Sequence, residues 1–171
     1  MTIALINDVP VLTLDDTSAL IPRRFPWNKP RTETFRHRIE VYLKDSNATG
    51  NVYFARYFEW QGICREKWFF ENISADMLQP LGVFVTKEAQ QKYIQETFAF
   101  QHIECEVNTF AVKQCSFSLL FRFFVGGNLV SVGHQQIVFA GLDKKITRLP
   151  ADILEKVRRY EADAEKLSLL H

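Results

Sequence analysis

The residues best suited to chemistry stand at two places in the chain. A polar loop, Asp45-Ser46-Asn47-Ala48-Thr49-Gly50-Asn51, runs directly into an aromatic segment with helical spacing. The first backbone N–H groups of a helix lack internal acceptors and carry partial positive charge, so a loop at that end can help to hold an oxyanion or polarise a carbonyl. Asp45, Ser46, Asn47, Thr49 and Asn51 are the side chains on offer there. The same residue types also serve simply as caps and turn formers. The second place is Arg65, eleven residues after Phe54 and so about three turns along the stripe Phe54, Phe58, Phe69. A guanidinium on a mostly apolar face needs an anion or a carbonyl beside it. That partner is either a substrate or a carboxylate such as Glu59 or Glu66, within the helix or across a subunit interface.

Other chemistries find little support. His37, His102, His134 and His171 are scattered with no HxH or HExxH spacing, so no metal site is expected. Cys64 sits among aromatic residues and reads as a small core residue; a nucleophile there would need an activating base that the sequence does not identify. Ser116, Ser118 and Ser131 lack the GxSxG context of a nucleophile elbow, and no GxGxxG or P-loop is present. No cofactor is expected. The 21 Lys and Arg nearly balance the 20 Asp and Glu, which argues against a dedicated nucleic-acid surface. Cys64, Cys105 and Cys115 are odd in number and show no CxxC spacing, which points to a reducing compartment and a cytoplasmic protein. The N-terminus has no basic region of a signal peptide, and no apolar run reaches the roughly 18–20 residues of a membrane span.

The elements that must position these residues follow from periodicity. Pro10, Pro22, Pro26 and Pro30 make residues 1–33 an irregular arm, leaving 34–171 as a single domain. Residues 34–43 alternate in part, with Phe35, Ile39, Val41 and Leu43 on one face of a half-buried strand. The segment 51–72 reads as a helix of about five turns, apolar nearly all round and therefore central and covered on several sides. Residues 81–87 suit a short strand, and 88–97 a polar connector with room for a short helix. Three β-rich runs follow, the last two joined by Gly126-Gly127-Asn128, a hairpin signal. Leu149-Pro150-Ala151-Asp152 opens a C-terminal helix with Ile153, Leu154, Val157 and Tyr160 at helical spacing. The outcome is an α+β domain, a curved antiparallel sheet wrapped around a long hydrophobic helix.

The run Asp45-Ser-Asn-Ala-Thr-Gly-Asn-Val-Tyr-Phe-Ala-Arg-Tyr-Phe-Glu-Trp-Gln-Gly-Ile-Cys-Arg65-Glu66 resembles the acyl thioesterases of the hotdog fold, the 4-hydroxybenzoyl-CoA thioesterase-like superfamily. The broad family carries Asp-x-Asp-x-x-Gly-x-Val with a catalytic second aspartate; here that position is Asn47. The subgroup of enediyne polyketide synthase thioesterases is closer, with Asp-Thr-Asn-x-x-Gly-Asn-Val-Tyr-Phe and then Trp-Gln-Gly-x-Cys-Arg-Glu; Ser46 replaces its threonine. The resemblance implies that Asn47 and Arg65 are the catalytic pair, acting on one substrate from different subunits. Backbone N–H groups near Phe54 would complete the oxyanion site, with Tyr57, Glu66 and Asn51 as candidate lining. It also implies a long polyene or β-keto acyl chain on the phosphopantetheine arm of an acyl carrier protein, and a homo-oligomer, a dimer of dimers. A local basic patch of Arg56, Arg65 and Lys67 would suit an acidic carrier. Two other readings stand beside it: a housekeeping acyl-CoA thioesterase, and a catalytically silent hotdog protein that binds acyl chains, for which loss of the signature aspartate speaks.

Overall fold

The structure, a computed structural model, describes residues 32–75 and 82–170; the expected proline-rich arm lies outside them apart from its last two positions. Thr32–His171 form one compact unit. Its strands are β1 (Phe35–Glu40), β2 (Gly82–Tyr93), β3 (His102–Phe110), β4 (Ser116–Val125) and β5 (Asn128–Gly141). They pair antiparallel in the order β1-β3-β4-β5-β2. Gly126 and Gly127 take φ of 55° and 82°, the positive values that a two-residue hairpin turn needs at both central positions. That turn sets the β4–β5 register and with it the face on which every side chain of the hairpin lands.

One face of the sheet packs on helix α1 (Arg56–Trp68), which continues as a π-helical turn over Phe69–Ile73. Ile103, Cys105 and Val107 of β3, Phe117, Leu119, Phe121 and Phe123 of β4, and Ile137 and Phe139 of β5 alternate toward it. The helix answers with Tyr57, Trp60, Cys64 and Trp68, and the π turn with Phe69 and Ile73. Truncating a fully buried aromatic in such a core costs about 3–5 kcal/mol, so this contact fixes where α1 lies on the sheet. Helix α2 (Ala151–Arg159) buries Ile153 and Val157, as its spacing predicts. The hotdog fold, α+β with a curved sheet about a long helix, is therefore observed.

Four expectations are corrected. The helix begins at Arg56 rather than near residue 51, because Ser46, Asn51 and Val52 form isolated β-bridges before it. It is not covered all round: Tyr53, Phe54, Phe58, Ile63 and Phe70 are exposed, since the sheet meets only one side of the helix. The polar run 88–93 is not a connector but the second half of β2; as an edge strand with mostly exposed side chains it needs no apolar alternation. Leu43 leaves the expected strand face and is exposed in a 3-10 turn, Leu43–Asp45. Among the described residues no helix is long and apolar enough to cross a membrane.

Candidate active site

The loop before α1 is held by its own side chains. Asp45 is buried and accepts a hydrogen bond from the Tyr42 N–H at 2.9 Å, with Arg56 Nε 3.6 Å from its other oxygen. Asn47 N–H donates to the Asn51 carbonyl, and Gly50, at φ 89°, turns the chain so that its N–H returns to the Asn47 carbonyl. Asn47 Oδ1 accepts from the Thr49 N–H at 2.9 Å and lies 2.6 Å from Thr49 Oγ1. The side-chain oxygen is thus committed to the turn. Its Nδ2 has no partner among the described residues and Asn47 is exposed, so what the side chain offers a ligand is a donor.

Beyond the loop, α1 starts without a side-chain cap. The backbone N–H groups of Phe54 and Ala55 have no acceptor among the described residues, while the Phe54 carbonyl accepts from Tyr93 Oη at 2.9 Å. A cavity of about 320 Å³ opens beside this end, lined by Asn51, Phe54, Tyr57, Tyr93, Glu96 and Thr97 among others. Asn51 donates from Nδ2 to Glu96 at 2.9 Å. Tyr57 is both wall and core: it is buried, hydrogen-bonds Thr97 Oγ1 at 2.9 Å and meets Trp60, Tyr93 and Phe123 edge-on. Burial pushes its phenol above the usual tyrosine range.

Arg65 lies 65 − 56 = 9 residues into α1, about 14 Å along the axis from the helix start. Its Nη1 donates to Thr86 Oγ1 at 2.5 Å and to Gln135 Oε1 at 3.2 Å; among the described residues Nη2 has only Glu66, at 3.9 Å. Neutral oxygens of the sheet, rather than a carboxylate, orient the guanidinium. Glu59 is taken by Arg56. Strand β2 bulges where Arg65 meets it, since Lys87 has no opposite residue between Thr86↔Ile137 and Glu88↔Gln136; bulges of this kind re-aim side chains at sheet edges. One turn earlier on the helix, the fully buried Gln61 donates from Nε2 to the Gln90 carbonyl at 2.9 Å and to Gln91 Oε1 at 2.5 Å. These bonds dock α1 on β2 beside Arg65.

A cavity of about 160 Å³ opens behind Arg65 and Glu66, walled by Trp68, Phe69, Phe84, Phe117, Leu119 and Ile137. Arg65 is one-third exposed and Trp68 fully buried, so the charge stands at the mouth. Of the sequence candidates, Arg65 and Glu66 share this cavity, and Asn51, Phe54 and Tyr57 share the other. Asn47 lines neither of these two cavities, so among the described residues it does not meet Arg65 there within one chain. The sequence reading missed Thr86, Gln135 and Gln61 as supports; the only signal was Gln61 inside the Trp-Gln-Gly run. Two members of the expected basic patch are paired in place, Arg56 by Glu59 and Asp45 and Lys67 by Glu71 at 2.6 Å, whereas Arg65 has Glu66 only at 3.9 Å. A larger, open cleft of about 650 Å³ lies on the other face of the sheet around Arg38, Glu104, Glu106 and Phe124 and holds none of the candidate residues. Among the described residues no cluster of His, Cys, Asp and Glu could hold a metal.

The fold matches known proteins. Residues 41–157 match the family model described as the thioesterase-like superfamily, and the chain belongs to that family. Its structure is similar to crystal structures of the dynemicin thioesterase, described for their response to polyene binding, at 24% identity and a TM-score of 0.70, covering 77% of this chain and all of that one. It is also similar to a 1,4-dihydroxy-2-naphthoyl-CoA thioesterase from Synechocystis at 15% identity and a TM-score of 0.67, covering 74% of this chain and 96% of that one. A gentisyl-coenzyme A thioesterase matches at 19% identity and a TM-score of 0.64, over 73% of this chain and 99% of that one. No curated protein matches the sequence.

Proposed function

We propose that the protein is a thioester hydrolase that releases an acyl chain from the phosphopantetheine arm of a carrier protein in an iterative polyketide or enediyne-type synthase. The observation that carries this reading is the Arg65 guanidinium, held by Thr86 and Gln135 at the mouth of an apolar cavity. The Asp45-to-Glu66 motif and the polyene named for the dynemicin thioesterase favour a carrier-bound, unsaturated or β-keto chain. Three free thiols suit a reducing, cytoplasmic setting.

In this mechanism the acyl chain enters the cavity with its thioester carbonyl beside Arg65. Water attacks the carbonyl carbon, the π pair moves onto oxygen, and the tetrahedral oxyanion accepts hydrogen bonds from Arg65, from Asn47 Nδ2 and from the Phe54 and Ala55 N–H groups. Collapse expels the pantetheine thiolate, which takes up the proton released by the attacking water, and the acid departs. Asparagine cannot accept a proton at neutral pH, so Asn47 is a donor and not a base; Glu66 at the cavity mouth is the nearest carboxylate. Because Asn47 lies in the loop before α1 and Arg65 about 14 Å along the axis from the helix start, the site takes Asn47 from one copy of the chain and Arg65 from another, within a dimer that itself pairs into a tetramer.

Thiol release on matched acyl-carrier and acyl-CoA panels tests this. Asn47→Ala and Arg65→Ala are each expected to lower kcat about 10²–10³-fold without loss of fold; near-wild-type turnover in both refutes the assignment. A second reading, a housekeeping acyl-CoA thioesterase, is favoured by the two CoA thioesterases among the similar structures and predicts higher kcat/KM on free CoA esters. A silent acyl-binding protein would release no thiol from either panel.

A further inference from the structure

We propose that the cavity behind Arg65 is selective for an acyl group that carries an oxygen part-way along its chain, and that the Trp68 indole N–H is the donor that reads it. This rests on the reading above that thioesters bind with their carbonyl at Arg65. Trp68 is fully buried, lines the cavity, and its Nε1 has no hydrogen-bond partner among the described residues. Buried donors without an acceptor are few in native proteins, and each calls for an explanation.

The surroundings do not supply the acceptor. Phe69, Phe117 and Tyr160 meet the indole in T-shaped contacts at 6.4, 6.1 and 5.6 Å between centroids, and aromatic faces are weak acceptors. Burial and the nearby Glu33 hold the Tyr160 phenol up at about 12. A lone water is a poor answer too, because a buried water needs two to four polar partners and the inner wall is otherwise Phe69, Phe84, Phe117, Leu119 and Ile137. The remaining source is the ligand.

Geometry sets where its oxygen must lie. Arg65 and Trp68 are three apart on α1, so their Cβ atoms are neighbours about 5–6 Å apart on one face, with Arg65 at the mouth and Trp68 within. A thioester carbonyl at Arg65 therefore sends its chain past the indole nitrogen. At about 160 Å³ the cavity is below the roughly 300–1,000 Å³ of drug-sized ligand sites, so it takes a short segment of chain, and one oxygen in that segment has one donor to find. A site built around such a donor discriminates against the analogue that lacks the oxygen, because the donor is then left unpaired.

The test uses the full-length protein and pantetheine thioesters of octanoic acid and of octanoic acids hydroxylated at successive positions from C4 to C8. At one position the hydroxyl is expected to raise kcat/KM about tenfold over octanoyl, the scale of one hydrogen bond, and Trp68→Phe is expected to erase that preference. The second measurement needs no variant for its readout. In wild-type protein the Trp68 indole ¹H–¹⁵N resonance is expected to move downfield with the favoured hydroxyoctanoic acid and not with octanoic acid. Hydrolysis of all thioesters with no positional preference, or equal indole shifts with both acids, overturns the inference while leaving the hydrolase reading intact. An indole shift specific to the hydroxy acid without hydrolysis of any thioester upholds the pocket's selectivity and refutes the hydrolase reading.

Discussion

Gly133 is a tight point of the seam that carries Arg65, and Gly133→Ala should break it. A Cβ there would stand 2.3 Å from Gln61 Nε2, 2.3 Å from Gln91 Oε1 and 2.8 Å from the Gln90 carbonyl. The backbone oxygen belongs to the paired strand, since Gly133 faces Gln91 in the β2–β5 register, and cannot retreat without opening that ladder. The two side-chain atoms are bonded to each other, so moving them breaks the Gln61 contacts with β2. Overpacking of this kind costs about 1–3 kcal/mol. Leaving the buried Gln61 amide without its acceptors adds about 1–3 kcal/mol. Together these give a destabilisation of about 2–6 kcal/mol. At about 2–4 °C per kcal/mol for a chain of this length, a mid-range loss of about 4 kcal/mol lowers Tm by about 8–16 °C. Urea unfolding should show a lower midpoint with an unchanged slope. Adding Gln61→Ala to Gly133→Ala removes one of the clashing groups, so the double variant should lose less than the sum of the single ones by about 1 kcal/mol or more. A Gly133→Ala protein with the wild-type midpoint refutes the reasoning.

Two further outcomes follow from buried groups. Cys64 and Cys105 are fully buried side by side, and burial together with the neighbouring thiol holds Cys105 well above the ordinary cysteine value, whereas Cys115 is half-buried. An aromatic disulfide reagent should therefore titrate one thiol in the native protein and three after denaturation; three fast thiols in the native state would contradict this packing. His37 is held below the usual histidine value of 6.5, first by burial and then by Lys67, with Glu71 opposing. The fold thus favours neutral imidazole, the unfolded chain binds the proton more readily, and stability is full above about pH 6.5 and falls as pH drops below it. His37→Gln should flatten the decline in urea midpoint between pH 7.5 and 5; an identical decline in both proteins would rule His37 out as its source.

Some of this was written in local pattern. The β4–β5 hairpin is legible because only glycine takes positive φ at both turn positions without strain, and β3 to β5 are legible because alternate side chains face α1. Helix α2 is legible from Ile153 and Val157. Where burial is one-sided or absent, pattern misleads. The aromatic residues of 53–70 suggested a helix covered all round, yet Tyr53, Phe54, Phe58 and Phe70 are exposed. In β2, polar residues 88–93 hid a strand whose pairing comes from β5 and not from its own hydrophobicity.

For the site, the residue types and order in 45–66 determined the family, the two candidate groups Asn47 and Arg65, and the absence of a carboxylate at position 47. These are one-dimensional facts, carried by a motif within 22 consecutive residues. Tertiary structure alone decided what surrounds them. Arg65 is oriented by Thr86 and Gln135, which are 21 and 70 residues away, and the apolar cavity behind it draws its walls from α1, the π turn, β2, β4 and β5. Contacts at such separations depend on strand register, and register is settled by the packing of the whole sheet on the helix. The spacing of about 14 Å between Asn47's end of the helix and Arg65 likewise follows from a rigid helical rise, which is why one chain holds the two halves of the candidate site apart.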